Sequence, residues 1–269
     1  MRLKIYLYSD DSRFFYKVNN ILKKLKIPIQ VLNFGAKIRN IDGIVLTTQK
    51  EFERLSHEDQ SDKFLVYSDS QDFEEYSTLI LATHKFGNKR EYNEIIFSID
   101  PGENKSGMAI FLDEYFFLSK IFYNHKDIIE AIKKYISYFN FNKSDPHKIK
   151  IFFGIGVPSL VDTLLDSFSK EFESDTPIFF LVDERKTSKI RDRKKKLKIS
   201  KHEISAIWIA VRAIKALKDV NYFNESIKNS TTQSHRKLDS EIRLDENLEN
   251  GVFLGDLSIS EALEKERLR

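Results

Sequence analysis

The sixteen residues from Glu94 to Ala109, EIIFSIDPGENKSGMA, decide the fold. Ile95 to Ile99 form the short apolar run of a buried strand, and the run ends on a carboxylate, Asp100. Pro101 presets the backbone for a turn and Gly102 tolerates the positive dihedral such a turn often needs, which holds Asp100 at the rim of a sheet. Gly107 reopens the chain into MAIFL, the expected hairpin partner. An aspartate fixed at a strand end among small residues suits a hydrated divalent cation, which takes hard oxygen ligands and leaves room for water. An ordinary turn accounts for the DPG triplet equally well, so the weight falls on what else the chain carries.

Downstream, strands over 95–100, 107–112 and 115–123 follow one another with short turns, which is a meander. A helix then places Ile128, Ile129, Ile132, Tyr135, Ile136 and Phe139 on one side. A strand (148–156), a helix with Val161, Leu164, Leu165, Phe168 and Phe172 inward, a strand (177–184) and a helix from about Lys201 complete the series. Three antiparallel strands followed by alternating helices and strands is the order of the ribonuclease H-like fold. The expected class is therefore α/β, with a mixed sheet and flanking helices over residues 94–219.

Upstream, LKIYLY at 3–8 alternates as a strand does, and Phe15, Val18, Leu22 and Leu25 recur at helical spacing before a short strand at 29–32. The runs GIVLTT (43–48), KFLVY (63–67) and TLILAT (78–83) extend this start into a small parallel sheet. Residues 1–88 thus read as a small Rossmann-like α/β domain of unknown role, joined by the polar segment 86–94. Asp10 and Asp11 resemble the acidic pair of a phosphoacceptor receiver domain, but Thr47 and Thr48 stand where a phosphoacceptor aspartate is required. Capping of the following helix is the better reading of the pair. Residues 220–269 are polar and expected to be flexible, ending in an amphipathic piece, LSISEALEKERL.

The composition excludes several classes. With no cysteine in 269 residues, disulfides, thiol catalysis and thiolate-held zinc or iron–sulfur centres are ruled out. Six scattered histidines lack metalloprotease spacing, so a metal would be held by carboxylates. No apolar run approaches the roughly 18 residues of a membrane span, and the start, MRLKIYLYSDD, has no signal-peptide centre, so a cytoplasmic protein is expected. The net charge of +3 is too small to name a partner, and the distribution of charge matters more.

Four stretches carry a family resemblance. DPGENKSGMA, with Asp100, Gly102, Lys105 and Gly107, resembles the opening motif of the YqgF branch of RuvC-like nucleases. GIGVP (154–158) resembles that family's central strand-end motif, DERKTS (183–188) its DERLTT-like motif, and HEISAIWIA (202–210) its closing helix. The match spans roughly residues 94–217. It implies a magnesium- or manganese-dependent endonuclease acting on branched DNA or structured RNA, with Asp100, Asp183, Glu184 and Glu203 as catalytic metal ligands, and it implies a homodimer by analogy with resolvases. One departure stands out: the closing acidic position is Glu203 rather than aspartate, and Ala206 stands where a second carboxylate would follow. An inactive module that keeps the fold and binds nucleic acid is the alternative. An actin-like phosphate binder would need duplicated halves, and the chain has one acidic glycine turn.

Physical chemistry supports the same cluster. Two divalent ions about 4 Å apart activate water and neutralise charge in phosphodiester hydrolysis, provided carboxylates hold them. Asp100 ends the first strand, Asp183 and Glu184 end the last, and Glu203 opens the last helix. Ser200 to Glu203 also spell a capping box, so Glu203 reads equally as a ligand or a cap. Strand alternation turns one of Asp183 and Glu184 inward without saying which, and Arg185 can pair with either. Between strand and helix lie Arg185, Lys186, Lys189, Arg191, Arg193, Lys194, Lys195, Lys196 and Lys198, offset only by Asp192. Such a run is often just a solvated face, but beside carboxylates it suits phosphate contacts made through counterion release. It lacks interleaved aromatics and would hold backbone rather than read bases. Lys105 joins this set, and His202 reads as a surface histidine.

Overall fold

A computed structural model describes residues 3–34, 38, 41–57, 60–88, 91–139, 148–172, 177–183, 199–224, 236–238 and 244–268. The chain divides into two compact units, Met1–Arg90 and Glu91–Arg269.

In the first unit, strands β1 (Ile5–Leu7), β2 (Ile29–Val31), β3 (Ile44–Thr48) and β4 (Phe64–Tyr67) form one sheet in the order β2-β1-β3-β4. Every pairing is parallel. Helix α1 (Ser12–Leu25) follows β1, α2 (Gln49–Phe52) follows β3 and α3 (Phe73–Phe86) follows β4. Asp11 caps α1 by accepting from the amides of Arg13 and Phe14, as the capping reading expects. The buried stripe of α1 is Phe14, Val18 and Leu22, whereas Phe15 and Leu25 are 37% and 39% exposed, one position off the expected register.

TLILAT, expected as a strand, lies inside α3. Asp72 caps that helix through the amide of Glu74, and Tyr76 and Ile80 bury at a spacing of four. A six-residue apolar run is ambiguous between the two periods, and here the cap decides.

Glu51, on α2, ties the carboxyl ends of β1 and β3. It is 2% exposed, and one of its oxygens accepts from Ser9 Oγ (2.5 Å) and the amide of Asp10 (2.7 Å). The other accepts from Thr48 Oγ1 (2.6 Å) and the Thr48 amide (3.0 Å). Burial alone would raise its pKa, but these donors outweigh burial and hold it at about 2, against an ordinary 4.5. The stability it contributes is present above about pH 4.5 and is lost as pH falls toward 2. Glu51→Ala is expected to destabilise this unit by about 2–3 kcal/mol at pH 7, with a smaller difference from wild type at pH 3, both read by denaturant unfolding.

The second unit holds strands β5 (Ile95–Asp100), β6 (Ser106–Leu112), β7 (Tyr115–Phe122), β8 (Ile149–Gly154), β9 (Ile178–Val182) and β10 (Arg236–Leu238). They form one mixed sheet in the order β10-β9-β8-β5-β6-β7, with β5-β6-β7 antiparallel and the remaining pairs parallel. Helices α4 (His125–Tyr138), α5 (Pro158–Glu171), α6 (Lys201–Asn224), α7 (Glu246–Leu254) and α8 (Ile259–Arg267) complete it. Successive strand residues alternate between faces. Ile96, Phe152 and Phe180 pack with Ile207, Ala210 and Ile214 of α6. On the opposite face Phe153 meets Phe168 of α5 and Phe179.

Residues 244–268 depart from the expected flexible tail. Leu248, Val252, Phe253, Ile259 and Ala262 are buried in the same core as Trp208. Asp245 caps α7 through the amide of Asn247, and Ser258 with Glu261 forms a capping box on α8. The docking point is the β6–β7 hairpin, whose two turn residues, Asp113 (φ 50) and Glu114 (φ 66), both lie in the left-handed region. Residues other than glycine hold that conformation where their surroundings impose it. Asp113 accepts from the amides of Asn93 and Glu94, and Glu114 accepts from those of Ile259 and Ser260. No helix among the described residues is long and apolar enough to cross a membrane.

Candidate functional site

Strands β5, β8 and β9 are parallel neighbours, so their carboxyl ends share one edge of the sheet. Asp100 ends β5 and is 8% exposed. The residue level with it on β8 is Gly154, one step beyond the Ile99–Phe153 pair, and Gly154 in turn pairs with Val182 on β9. Asp183 follows directly and is 5% exposed. One strand intervenes between β5 and β9, so the two aspartates start from backbones about 10 Å apart.

The face on which Asp100 stands is set by Ser98, two residues earlier, whose buried hydroxyl donates to the Ala206 carbonyl of α6 at 2.6 Å. The first turn of α6 therefore lies over the end of β5. It sits close because Gly107, which pairs with Asp100 across β5 and β6, has no side chain to keep it away. A methyl group at Gly107 would run into the carbonyl of His202 and lie 2.8 Å from the amide nitrogen of Glu203.

This approach brings His202 onto Asp100. The imidazole Nδ1 donates to Asp100 Oδ2 at 2.8 Å, with side-chain exposures of 29% for the histidine and 12% for the aspartate. The bond fixes Nδ1 as a protonated nitrogen and leaves Nε2 as the remaining polar position of the ring. At Gly102 a methyl would crowd the Lys105 carbonyl at 2.5 Å, while the His202 ring lies at ordinary contact distance, 3.4 Å from it. His202 is thus part of the site and not the surface histidine expected from its position. Its only signal in the sequence is adjacency to the capping glutamate in SKHE.

Glu203 is held otherwise. One carboxylate oxygen accepts from the Ser200 amide at 2.8 Å, closing the capping box, and the other accepts from Ser119 Oγ of β7 at 2.8 Å. The amide of Glu203 in turn donates to Ser200 Oγ at 3.2 Å. Both oxygens take part in fastening the helix start to the meander, which is the capping half of the two readings of Glu203. Glu203→Ala is expected to cost about 1–2 kcal/mol in thermal unfolding, the usual effect of losing a capping interaction together with a partly buried hydrogen bond.

Of the remaining expected residues, Lys105 is exposed on the turn after Asp100. Glu184, Arg185, Lys186, Lys189, Arg191, Arg193, Lys194, Lys195, Lys196 and Lys198 lie outside the described residues. The structure therefore joins Asp100 to His202, sets Asp183 on the same sheet edge, and assigns Glu203 to the helix cap. Among the described residues no three His, Asp or Glu side chains are gathered to hold a metal ion. Asp100 and Asp183 are hard-oxygen donors of the right chemistry for magnesium, but the described set alone does not close a site.

Fold and site together define a mixed α/β protein of two units whose second unit gathers polar residues at the carboxyl edge of its sheet. No model of a known protein family matches the chain, and no curated protein matches it. Among solved structures, an exopolyphosphatase from Cytophaga hutchinsonii is similar at 11% identity, with 92% of this chain and 81% of that chain covered and a TM-score of 0.18. A likeness at that score supports no conclusion about fold or function.

Proposed function

We propose that residues 91–269 form a ribonuclease H-like unit of the RuvC and YqgF type, which hydrolyses phosphodiester bonds in branched DNA or folded RNA with magnesium or manganese. The observation that carries this reading is the placement of Asp100. It ends a central strand, is largely buried, is hydrogen-bonded by His202 from the helix crossing the same face, and shares its edge with Asp183. The strand order supports the reading, because a meander of three antiparallel strands followed by two parallel ones is the ribonuclease H-like arrangement. Buried carboxylates at a strand end repel one another unless a cation or a donor lies among them, and His202 supplies one such donor. Metal binding rests on Glu184 joining the two aspartates, and the Arg185–Lys198 segment supplies the phosphate contacts.

A second reading, nucleic-acid binding without cleavage, is favoured by Glu203, whose oxygens are both occupied by structural hydrogen bonds. One experiment separates the two. The purified chain is incubated with four-way junctions, duplex DNA and structured RNA, with magnesium or manganese, beside an Asp100→Ala control. Metal-dependent cleavage that the substitution abolishes is the expected result. Salt-sensitive binding with no cleavage under any metal condition selects the second reading.

A further inference from the structure

Arg212 is 6% exposed and lies in the middle of the apolar helix α6, between Val211 and Ala213, which are almost wholly buried. Removing a guanidinium from water is costly, and an apolar residue of similar volume is often the more stable choice at such a position. A buried arginine therefore calls for a task that a hydrocarbon chain does not perform. Its Nη1 donates at 2.9 Å to the backbone carbonyl of Asp183, the residue immediately after β9.

The geometry of α6 makes this bond informative. Glu203 and Arg212 are nine residues apart, which is about 180° around a helix and about 14 Å along it. From one flank Glu203 grips Ser119 on β7, and from the other Arg212 grips the end of β9. Between them His202 reaches Asp100 and the Ala206 carbonyl receives Ser98. One helix thus fastens both sides of the edge that carries the two aspartates.

We propose that Arg212 is a positioning residue: it fixes the carboxyl end of β9, and with it the placement of Asp183 relative to Asp100. This rests on the nuclease reading for its catalytic consequence, whereas its structural consequence stands alone. A carbonyl acceptor is well matched to this task, because it holds the backbone itself. The neighbouring contact, in which the Ile155 amide donates to the Val182 carbonyl at 3.1 Å, secures the preceding residue from the β8 side.

The test uses the full chain with Arg212→Met, which removes the donors and keeps the apolar stem, and Arg212→Lys, which keeps the charge. Hydrogen–deuterium exchange is followed over 177–183, with β5 and β6 as internal references, beside thermal unfolding and single-turnover cleavage of a junction. Arg212→Met is expected to keep its midpoint of unfolding and the protection of β5 and β6, while exchange at the end of β9 rises about tenfold. Cleavage falls on the order of 10²-fold, the loss that misplacing a reacting group by about 1 Å produces, with substrate affinity unchanged. Arg212→Lys falls between Met and wild type in both readouts. Unchanged exchange at 181–183 in both variants overturns the proposal, as does unchanged cleavage by Arg212→Met where wild type cleaves. If Arg212→Met fails to fold, the Lys variant decides on exchange alone. If wild type cleaves nothing, the nuclease reading fails, and the exchange result still settles whether Arg212 holds β9.

Discussion

Asp100→Ala is expected to reduce metal-dependent cleavage by about 10³-fold or more, the scale of several kcal/mol of transition-state stabilisation. Asp100→Asn is the sharper variant. Asparagine keeps the shape and a carbonyl oxygen able to accept from His202 Nδ1, so the 2.8 Å contact survives while the charge is lost. If Asp100 acts through its charge, Asn and Ala are equally inactive. If the carboxylate serves only to orient the imidazole, Asn retains most of the activity and Ala does not. His202→Ala adds the third arm: a loss of about 10–100-fold fits a residue that orients Asp100. All three variants are expected to unfold within about 1 kcal/mol of wild type, since the pair lies at a sheet rim and His202 is partly exposed. Full cleavage by Asp100→Ala would remove the site from consideration.

The parts of this arrangement that were legible in the sequence are those decided locally. Apolar runs marked β5, β8 and β9, DPG marked the turn, and the Ser200–Glu203 spacing marked a capping box that the structure contains. The misreadings have physical causes of two kinds. Where an apolar run was short, as in TLILAT, period could not separate strand from helix, and the Asp72 cap that decided it lay outside the run. In the C-terminal residues, Leu248 and Val252 stand four apart but are diluted by glutamate and asparagine, so a buried helix looked like a polar tail. The second kind is long-range. Ser119 is 84 residues from Glu203, Asp100 is 102 residues from His202 and Ser98 is 108 from Ala206. None of these pairs leaves a mark at either end. Arg212 carries no sequence signal either, because Arg212 and Lys215 in IWIAVRAIKAL read as solvated positions on an apolar helix.

Gly107→Ala is expected to be a strongly destabilising single-methyl change. The position appears tolerant, since β6 is an ordinary buried strand and alanine suits it no worse than glycine by backbone preference. The obstacle is the helix above. The new methyl would meet three backbone atoms at once, the carbonyl oxygen and carbon of His202 and the nitrogen of Glu203, and backbone cannot turn aside as a side chain does. Either α6 lifts or β6 sinks. Lifting α6 breaks the bonds from Ser98 to Ala206, His202 to Asp100 and Ser119 to Glu203 together, and it loosens the core beneath Ile207 and Ala210. Overpacking a core costs about 1–3 kcal/mol, and the loss of these bonds raises the expected total to about 3–5 kcal/mol in denaturant unfolding. Gly102→Ala provides the comparison, because the clash there involves the Lys105 carbonyl at 2.5 Å within a turn that can shift alone, so a smaller loss is expected. A Gly107→Ala protein as stable as wild type would mean that α6 does not rest on β6 at this point. The close approach that brings His202 to Asp100 would then be absent, and the site with it.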